Sequence, residues 1–242
     1  MAGLFITGTD TDVGKTWVTG RLCRCLRNRG MDVGLWKPVQ SGFAHGDPSS
    51  DSHRLRATGG LDDNEIMICP VSLKAPWAPL VAAHLENKKI SCSSLLAASQ
   101  LLFEKYEILL VEGAGGFLVP IGQDELIADL AQRLGFPVLI VARHGLGTVN
   151  HCLLTIEAIR TRGLVPMGIV LNGYPHEPER ITTWEELSPG TPLKESSPAN
   201  PLLIEQFTKV PIIGMIPDTR EKDLEKPFEE YINLEKIVEN LN

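Results

Sequence analysis

A loop near the start of the chain reads Gly8-Thr9-Asp10-Thr11-Asp12-Val13-Gly14-Lys15-Thr16, between an apolar run at 4–7 and a helical pattern at 15–29. A turn from a buried strand into a helix presents free backbone N–H groups, and the positive end of the helix dipole adds to their attraction for anions. Lys15 can place its charge beside the β- and γ-phosphates of a nucleotide, and the Thr16 hydroxyl can bind Mg²⁺. The loop therefore predicts a nucleotide site in an α/β protein, with contacts from Asp12, Val13, Gly14, Lys15, Thr16 and Trp17.

The start of this loop departs from the usual phosphate-binding pattern, G-x-x-x-x-G-K-S/T. Thr9 occupies the position of the first glycine, and Gly8 lies just before it. The Gly-Lys-Thr ending at a strand–helix junction still indicates nucleotide binding, because the junction supplies the amide groups and Lys15 supplies the charge.

The composition excludes several kinds of partner. The chain has 242 residues, with 23 Lys and Arg against 30 Asp and Glu and a net charge of −7. A general nucleic-acid binder needs a basic face to neutralise phosphates, so we expect no nucleic-acid partner. No apolar run approaches the roughly 20 residues of a membrane span, so we expect no membrane association either.

The chain start and the cysteines favour a cytoplasmic protein. No basic residue precedes Lys15, so the apolar run at 4–7 lacks the charged flank of a secretory signal. The five cysteines are an odd number, which does not fit a closed set of disulfides. Cys23 and Cys25 would point to different faces of one helix and would make a poor metal pair. We therefore expect reduced thiols in a cytoplasmic location.

Short apolar runs alternate with helical patterns along the chain. The predicted strands are residues 4–7, 33–37, 107–111, 138–142, 167–171 and 211–216, and the predicted helices are residues 15–29, 91–105, 126–134 and 148–162, with an amphipathic helix near the end. Such apolar strands are typical of a parallel sheet that helices cover on both faces. The alternation predicts a doubly wound α/β fold of the P-loop NTPase-like type, as a single domain over residues 1–242.

A proline-rich stretch interrupts this alternation between residues 175 and 201. It holds six of the 17 prolines. We interpret it as a long surface loop within the domain, either a tolerated insertion or a lid over a ligand.

Charged side chains follow other predicted strands, at the edge where open α/β sheets bind ligands. Lys37 begins the segment Lys-Pro-Val-Gln-Ser-Gly and can reach phosphates or a transferring oxyanion. Glu112 precedes Gly113-Ala114-Gly115-Gly116, so a carboxylate that suits Mg²⁺ lies beside glycines that allow close approach. Asp51 by itself is an expected helix N-cap, and it becomes a candidate metal ligand because a nucleotide site needs carboxylates besides Thr16.

Two further segments can contact a ligand. Asn172-Gly173 is an ordinary turn sequence, although the amide of Asn172 can also read the edge of an adenine. The segment Gly145-Leu146-Gly147-Thr148-Val149-Asn150-His151 opens a predicted helix, whose free N–H groups would bind a carboxylate. We interpret His151 as a structural histidine.

These motifs together resemble those of dethiobiotin synthetases over nearly the whole chain. The resemblance rests on the loop ending in Lys15-Thr16, on Lys-Pro-Val-x-Ser-Gly from Lys37 and on Val-Glu-Gly-Ala-Gly-Gly around Glu112. Asn150-His151 at a helix start and the segments at 214–217 and 231–234 extend it. The resemblance implies an ATP- and Mg²⁺-dependent ligase of biotin synthesis that carboxylates 7,8-diaminononanoate with CO₂ and closes the dethiobiotin ring. One amine takes up CO₂ as a carbamate, ATP converts this to a carbamic-phosphoric anhydride, and the second amine closes the ring.

The resemblance also implies a division of roles among these residues. Lys37, Lys15 and Thr11 would be catalytic, while the ligands of Mg²⁺ would be Thr16, Asp51 and Glu112. Besides the loop, the nucleotide would contact Asp51, Glu112, Gly113, Ala114 and Gly115, and on its adenine side Asn172, Gly173, Pro217, Asp218 and Thr219. The diamine would contact Thr11 and Ser41 of one subunit of a homodimer, and its carboxylate would contact Gly147, Thr148, Val149 and Asn150 of the other.

Two other classes of protein share this kind of loop and fold. A partition-type regulatory ATPase carries a lysine early in the loop, where this chain has Asp10, and a glycine pair where it has Thr11-Asp12. A cobyrinate-type amidoligase uses the same phosphoanhydride chemistry but usually carries an added glutaminase domain, for which 242 residues leave no room. Both remain alternatives to the synthetase interpretation.

Overall fold

A six-stranded sheet forms the centre of the computed structural model, which describes residues 2–175, 177–187, 198–218, 224 and 226–241. The eight strands in chain order are β1 (Ala2–Gly8), β2 (Val33–Trp36), β3 (Val39–Ser41), β4 (Val71–Leu73), β5 (Ile108–Gly116), β6 (Val138–Arg143), β7 (Pro166–Tyr174) and β8 (Ile212–Pro217). The short strands β3 and β4 pair in parallel as a separate ribbon.

Ten α-helices connect and cover these strands. They are α1 (Lys15–Asn28), α2 (Asp51–Gly59), α3 (Glu65–Ile68), α4 (Pro79–Leu85), α5 (Cys92–Ala98), α6 (Gln100–Lys105), α7 (Ile127–Leu134), α8 (Thr148–Thr161), α9 (Asn200–Thr208) and α10 (Leu234–Glu239). Short 3-10 turns lie at Trp184–Glu186 and Phe228–Glu230. These counts refer to the described ranges.

The strand order places the ligand-binding edge of the sheet. Neighbours follow the order β2-β5-β1-β6-β7-β8, and each pair is parallel. In chain order, β2 and β5 lie on one side of β1, and β6, which follows them, lies on the other side. Ligands of doubly wound sheets bind outside the carboxyl ends of the strands where the order reverses. Here that position is the carboxyl end of β1, between β5 and β6.

Apolar side chains on both faces of the central strands explain why helices cover them. Leu4, Phe5 and Ile6 of β1 are fully buried, as are residues 138–142 of β6. They belong to one apolar core that also includes the inner faces of the helices. A strand that buries successive side chains needs cover on both faces, so the doubly wound α/β architecture is confirmed.

Two segments expected to follow strands lie within strands. The strand predicted at 107–111 continues to Gly116, so Glu112 and the glycines after it lie in β5. Asn172 and Gly173 lie within β7, where Asn172 is paired with both β6 and β8. Both segments are held by neighbouring strands, which a local turn pattern does not reveal.

Other predicted elements differ in their bounds. The helix predicted at 91–105 is divided at Ser99 into α5 and α6. The proline-rich loop predicted at 175–201 ends earlier, because α9 begins at Asn200, and residues 188–197 lie outside the described ranges. The ribbon of β3 and β4 was not expected, since each strand has only three residues.

The last two features of the fold concern its cysteines and the length of its helices. All five cysteines are buried free thiols. Within the described ranges, no helix has both the length and the apolar character that crossing a bilayer requires.

Candidate active site

The loop between β1 and α1 is tight enough to require glycine at two positions. Gly14 precedes the helix with a φ of +90°, and a Cβ there would lie 2.1 Å from Asn172 Nδ2. A Cβ on Gly8 would lie 2.7 Å from the carbonyl oxygen of Asp10. Since Gly8 has no side chain, the loop can fold closely over it, although Thr9 stands at the usual glycine position.

Lys15 folds back over this loop. Its side chain is buried, and Nζ donates a hydrogen bond to the carbonyl oxygen of Asp10 at 2.8 Å. Burial, reinforced by the positive charge of Lys37, lowers the pKa of Lys15 to about 8. A bound anion would favour the charged form again, because an opposite charge nearby raises the pKa of an amine. The loop and its lysine thus suit the phosphates of a nucleotide.

Four side chains from separate parts of the chain meet beside the loop, and we call them the charged cluster. They are Thr16 in α1, Lys37 after β2, Asp51 in α2 and Glu112 in β5. Lys37 Nζ lies 2.6 Å from Glu112 Oε1 and 2.8 Å from Asp51 Oδ2. The Thr16 hydroxyl lies 2.8 Å from Glu112 Oε1 and 3.2 Å from Asp51 Oδ1, and its single proton can serve one of them at a time.

Opposite charges stabilise this cluster against the cost of burial. Lys37 and Glu112 are almost completely inaccessible to water. Burial alone would lower the pKa of Lys37, but the charges and hydrogen bonds of Asp51 and Glu112 outweigh it and raise that pKa. Burial would likewise raise the pKa of Asp51, but the positive charge of Lys37 lowers it. The cluster therefore keeps Lys37 charged and Asp51 ionised at neutral pH.

Asp51 is not the N-cap of α2, so that expectation was wrong. The cap is Ser50, whose hydroxyl oxygen accepts a hydrogen bond from the backbone N–H of His53 at 3.2 Å. Asp51 is the first residue of the helix, and its carboxylate contacts Lys37 and Thr16 instead of the helix backbone. The positive end of the helix dipole still favours a carboxylate at this position.

The oxygen atoms of the charged cluster fit Mg²⁺ in the presence of a nucleotide. Glu112 Oε2 is buried and has no hydrogen-bond partner among the described residues. In nucleotide sites Mg²⁺ is bound by one or two carboxylates together with substrate phosphates. Within the described ranges, no group of three or more His, Cys, Asp and Glu side chains is arranged to hold a metal ion. Two carboxylates and Thr16 would therefore need phosphate oxygens to complete the coordination.

Asn172 links the end of β7 to the phosphate loop. Its side-chain nitrogen donates a hydrogen bond to the carbonyl oxygen of Val13 at 3.0 Å. This bond uses one of the two amide hydrogens, so the other hydrogen and the amide oxygen can contact a ligand. Gly173 follows with a φ of +85°, at an irregularity in the pairing of β7 with β8.

Of the other residues expected near adenine, Pro217 and Asp218 lie at the end of β8, and Thr219 lies outside the described ranges. Pro217 ends β8 and is buried, and the backbone N–H of Asp218 donates to the carbonyl oxygen of Tyr174 at 2.6 Å. Thr219 is not among the described residues. Trp17 lies on α1, with its ring edge-on to Phe228 at 5.5 Å between centroids.

Ser41 and Thr11, the residues expected to contact the diamine, have different surroundings. Ser41 ends β3, and its hydroxyl oxygen is buried with no hydrogen-bond partner in the described part of the chain. Thr11 is exposed and lines a cavity of about 300 Å³ together with Leu118 and Leu154. The cavity is open to the surface on the α8 side of the loop.

The helix start expected to bind a carboxylate is that of α8. Gly147 precedes the helix with a φ of +89°, and the Thr148 hydroxyl donates to the carbonyl oxygen of Arg143 at 2.6 Å. Val149 packs against the core, while Asn150 is exposed. The Thr148 hydroxyl also lies 3.8 Å from Cys152 Sγ, and Asn200 Nδ2 donates to the carbonyl oxygen of His144 at 3.0 Å, so these side-chain bonds tie this turn to α8 and α9.

Two residues of the site were not expected from the sequence. The backbone of Asp10 accepts the hydrogen bond of Lys15, and Gln40 is buried in β3 beside the charged cluster. A single sequence holds no signal that separates a buried glutamine from an exposed one in so short a strand.

Comparisons with known proteins match a range that includes the phosphate loop and the charged cluster. A family model described as an AAA domain matches residues 2–227. The chain is 44% identical over 217 residues to the ATP-dependent dethiobiotin synthetase BioD of Anaeromyxobacter sp. (strain K), covering 90% of each chain. It is 36% identical over 245 residues to the protein of the same name from Bacillus subtilis subsp. natto, covering 100% of this chain and 99% of that one. The chain belongs to the ATP-dependent dethiobiotin synthetase family.

Membership in the dethiobiotin synthetase family confirms the resemblance drawn from the motifs and the expectation of an enzyme of the ligase class. Among solved structures, the MinC:MinD cell division protein complex of Aquifex aeolicus matches with a TM-score of 0.52 over 91% of this chain and 83% of that one. The two sequences are 17% identical, so this likeness shows the fold alone. It therefore does not favour the regulatory ATPase alternative.

Proposed function

We propose that this synthetase joins CO₂ to 7,8-diaminononanoate and closes the dethiobiotin ring, using ATP and Mg²⁺. The observation that carries the proposal is the charged cluster, in which the buried Lys37 ammonium lies within 2.8 Å of two carboxylates beside the phosphate loop. This arrangement supplies a cation for transferring anions and oxygen ligands for a metal at the same edge of the sheet.

The phosphate loop binds ATP through the backbone N–H groups at the start of α1. Lys15 exchanges the carbonyl oxygen of Asp10 for the phosphates, whose negative charge restores its full protonation. Thr16, Asp51 and Glu112 hold Mg²⁺, which offsets the charge of the phosphates when bound.

The reaction has three chemical steps, and each conserves atoms and charge. One amine attacks CO₂ and loses a proton, which gives the carbamate. A carbamate oxygen then attacks the γ-phosphorus in line while ADP leaves, which gives the carbamic-phosphoric anhydride. The second amine attacks the anhydride carbon and loses a proton, and inorganic phosphate leaves as the ring closes.

Lys37 contributes by offsetting negative charge during phosphoryl transfer. The carbamate and the γ-phosphate are both anions, so their approach needs a cation and a fixed alignment. Lys37 is almost fully buried, and electrostatic interactions are stronger there than in water. Ser41, whose buried hydroxyl oxygen has no partner among the described residues, supplies a hydrogen bond to the diamine or the carbamate.

A second copy of the chain completes the diamine site in this proposal. Leu118 and Leu154 are 53% and 61% exposed and line the cavity that Thr11 shares, and Leu146 beside Gly147 is 96% exposed. Exposed apolar side chains grouped in this way are typical of interaction surfaces. A homodimer would cover them and bring the start of α8 from one subunit to the cavity of the other, where its N–H groups bind the diamine carboxylate.

The remaining features of the proposal concern the nucleotide, the domain and the location. The amide of Asn172, which the hydrogen bond to Val13 holds beside the phosphate loop, reads the edge of adenine, with its oxygen accepting from the adenine amino group. The chain acts as one domain over residues 1–242, with the proline-rich loop at its surface. Five buried free thiols favour a reducing compartment such as the cytoplasm.

The test is the formation of dethiobiotin from 7,8-diaminononanoate, bicarbonate and MgATP by the purified protein. We expect phosphate release to depend on the diamine and to match the dethiobiotin formed. Lys37→Gln should lower turnover by roughly 10²–10³-fold, whereas Lys89→Gln, at an exposed lysine, should leave it unchanged. Phosphate release that ignores the diamine would contradict the proposal.

A second experiment tests the shared site. Leu154→Glu should shift the protein from dimer to monomer in sedimentation velocity, because a charge replaces an exposed apolar contact. Asn150→Ala should weaken diamine binding more than ATP binding, since it lies at the start of α8. Equal effects of Asn150→Ala on both ligands would reject the placement of the carboxylate.

A further inference from the structure

Gln40 is a buried polar residue in the strand that follows Lys37. It is 1% exposed, and both ends of its amide are bonded. Its oxygen accepts a hydrogen bond from the backbone N–H of Ser52 at 2.9 Å. Its nitrogen donates to the hydroxyl oxygens of Ser72 at 2.9 Å and Ser52 at 3.1 Å. The amide therefore connects β3 to β4 and to the first turn of α2.

The hydrogen-bond directions leave one orientation for this amide. The Ser72 hydroxyl donates its proton to the carbonyl oxygen of Phe43 at 2.6 Å, so it can only accept from Gln40. The backbone N–H of Ser52 can only donate, so it must face the amide oxygen. A side chain at position 40 thus needs a donor and an acceptor together. A glutamate would lack the donor, and an apolar side chain would lack both.

The contact with Ser52 bears directly on Asp51. The first backbone N–H groups of a helix have no partner within the helix and need one from elsewhere. Ser50 caps α2 through the N–H of His53, and Gln40 satisfies the N–H of Ser52. The residue between Ser50 and Ser52 is Asp51, so these two bonds fix the backbone from which its carboxylate reaches Lys37 and Thr16.

We infer that Gln40 is a positioning residue that holds Asp51 in register with Lys37 and Thr16, and so sets the affinity of the site for its divalent cation. The inference rests on the proposed role of Asp51 in Mg²⁺ binding. Lys37 follows β2 and Gln40 lies in β3, so one short segment both presents the ammonium and anchors the helix that presents the carboxylate. Partners outside the ligand set commonly change metal affinity by roughly 10–100-fold when they are removed.

The test compares the cation affinity of variants in the ATP complex without diamine. Mn²⁺ serves as the probe, and electron paramagnetic resonance measures its dissociation constant from the protein–ATP complex. Gln40→Met, which keeps the length but loses the polar atoms, should weaken Mn²⁺ binding by roughly 10-fold or more. Ser72→Ala is the matched control, because it removes one bond of the same amide and leaves both contacts with Ser52 in place. We expect it to change Mn²⁺ binding little.

A double-mutant cycle separates positioning from general stability. If Gln40 acts through Asp51, Gln40→Met should have little further effect on Mn²⁺ binding in an Asp51→Asn background. In the native background it should also raise the Mg²⁺ concentration needed for half-maximal dethiobiotin formation, while kcat at saturating Mg²⁺ changes much less. If Gln40→Met does not fold, Gln40→Asn, one methylene too short to reach Ser52, should shift Mn²⁺ binding in the same direction.

Two results would overturn the inference. One is unchanged Mn²⁺ affinity in the folded Gln40 variant. The other is that Gln40→Met lowers the Mn²⁺ affinity equally in the native protein and in the Asp51→Asn background. The Mn²⁺ measurement needs no diamine, so it stands apart from the proposed reaction. If no variant or native protein formed dethiobiotin, the proposed function would fail while the role of Gln40 was still decided.

Discussion

Replacing Lys37 by methionine should destabilise the folded protein strongly, and Mg²⁺ should reverse part of the loss. The ammonium lies 2.6 Å from Glu112 Oε1 and 2.8 Å from Asp51 Oδ2, and it also donates to the carbonyl oxygen of Gly113 at 3.3 Å. Methionine keeps the length of the side chain but removes the ammonium. The carboxylates of Asp51 and Glu112 then lose the cation that contacts both of them.

The size of the effect follows from burial. The side chains of Lys37 and Glu112 are 3% and 1% exposed, so this pair is fully buried, whereas that of Asp51 is 33% exposed and is partly screened by water. Removing one partner of a buried pair costs about 3–5 kcal/mol. Unfolding temperatures of proteins this size change by roughly 2–4 °C per kcal/mol, so we expect a decrease of roughly 6–20 °C.

Lys15→Met provides the matched control. Lys15 is also buried beside the cluster, but among the described residues it donates only to a backbone carbonyl oxygen, and burial lowers its pKa to about 8. A hydrogen bond of a charged group contributes roughly 1.5–3 kcal/mol. Losing Lys15 also removes the cost of burying its charge, so this variant should lose less stability than Lys37→Met. Scanning calorimetry of both variants, with and without Mg²⁺, measures the difference.

The Mg²⁺ dependence tests the reasoning further. A ligand that binds only the folded state raises its stability, and in Lys37→Met the ammonium no longer competes for the carboxylate oxygens. Mg²⁺ should therefore raise the unfolding temperature of Lys37→Met more than that of the native protein. Equal unfolding temperatures for the Lys37 and Lys15 variants would refute the claim that the buried pair stabilises the fold.

Four other outcomes can be measured on the same protein. Gly30→Ala, with a φ of +82° and no atom within 4 Å of the new Cβ, should lose about 1–2 kcal/mol in urea unfolding. Gly14→Ala should lose more and should also weaken ATP binding in calorimetry, because its Cβ would lie 2.1 Å from Asn172 Nδ2. Burial raises the pKa of Cys152 to about 11, and it raises the pKa values of the other four cysteines at least as far. Mass spectrometry should therefore find the native protein unmodified by iodoacetamide at mildly alkaline pH and the denatured protein modified at all five cysteines. Chelation of Mg²⁺ should weaken ATP binding strongly, whereas added NaCl should weaken it little, because buried charges are poorly screened; a steep salt dependence that chelation leaves unaffected would contradict the local attraction argued here.

Local patterns were sufficient for the scaffold and for the phosphate loop. The apolar runs at 4–7 and 138–142 became β1 and β6, because residues that must leave water determine which segments lie in the centre of the sheet. Local patterns failed where tertiary contacts decide the conformation. Glu112 was expected just after a strand and Asn172 in a turn, but neighbouring strands hold them within β5 and β7.

The charged cluster shows the same limit within the site. Its members Lys37 and Glu112 are 75 positions apart in the chain and meet only because β2 and β5 are neighbours in the sheet. The resemblance named both residues as ligand contacts, while their direct pairing at 2.6 Å is a property of the structure. Gln40 was missed because its importance lies in a hydrogen bond to α2, which a short strand does not indicate.

The chain's acidity has a different meaning once the fold is known. The sequence established a net charge of −7, a phosphate loop and a set of strands too apolar to lie at a surface, since these depend on composition and local order. Only the tertiary structure brought two lysines together with two of the acidic residues at the end of β1, because strand order and not sequence distance determines which side chains meet. The attraction for anions is therefore local to that edge of the sheet, where buried cations face little water to screen them.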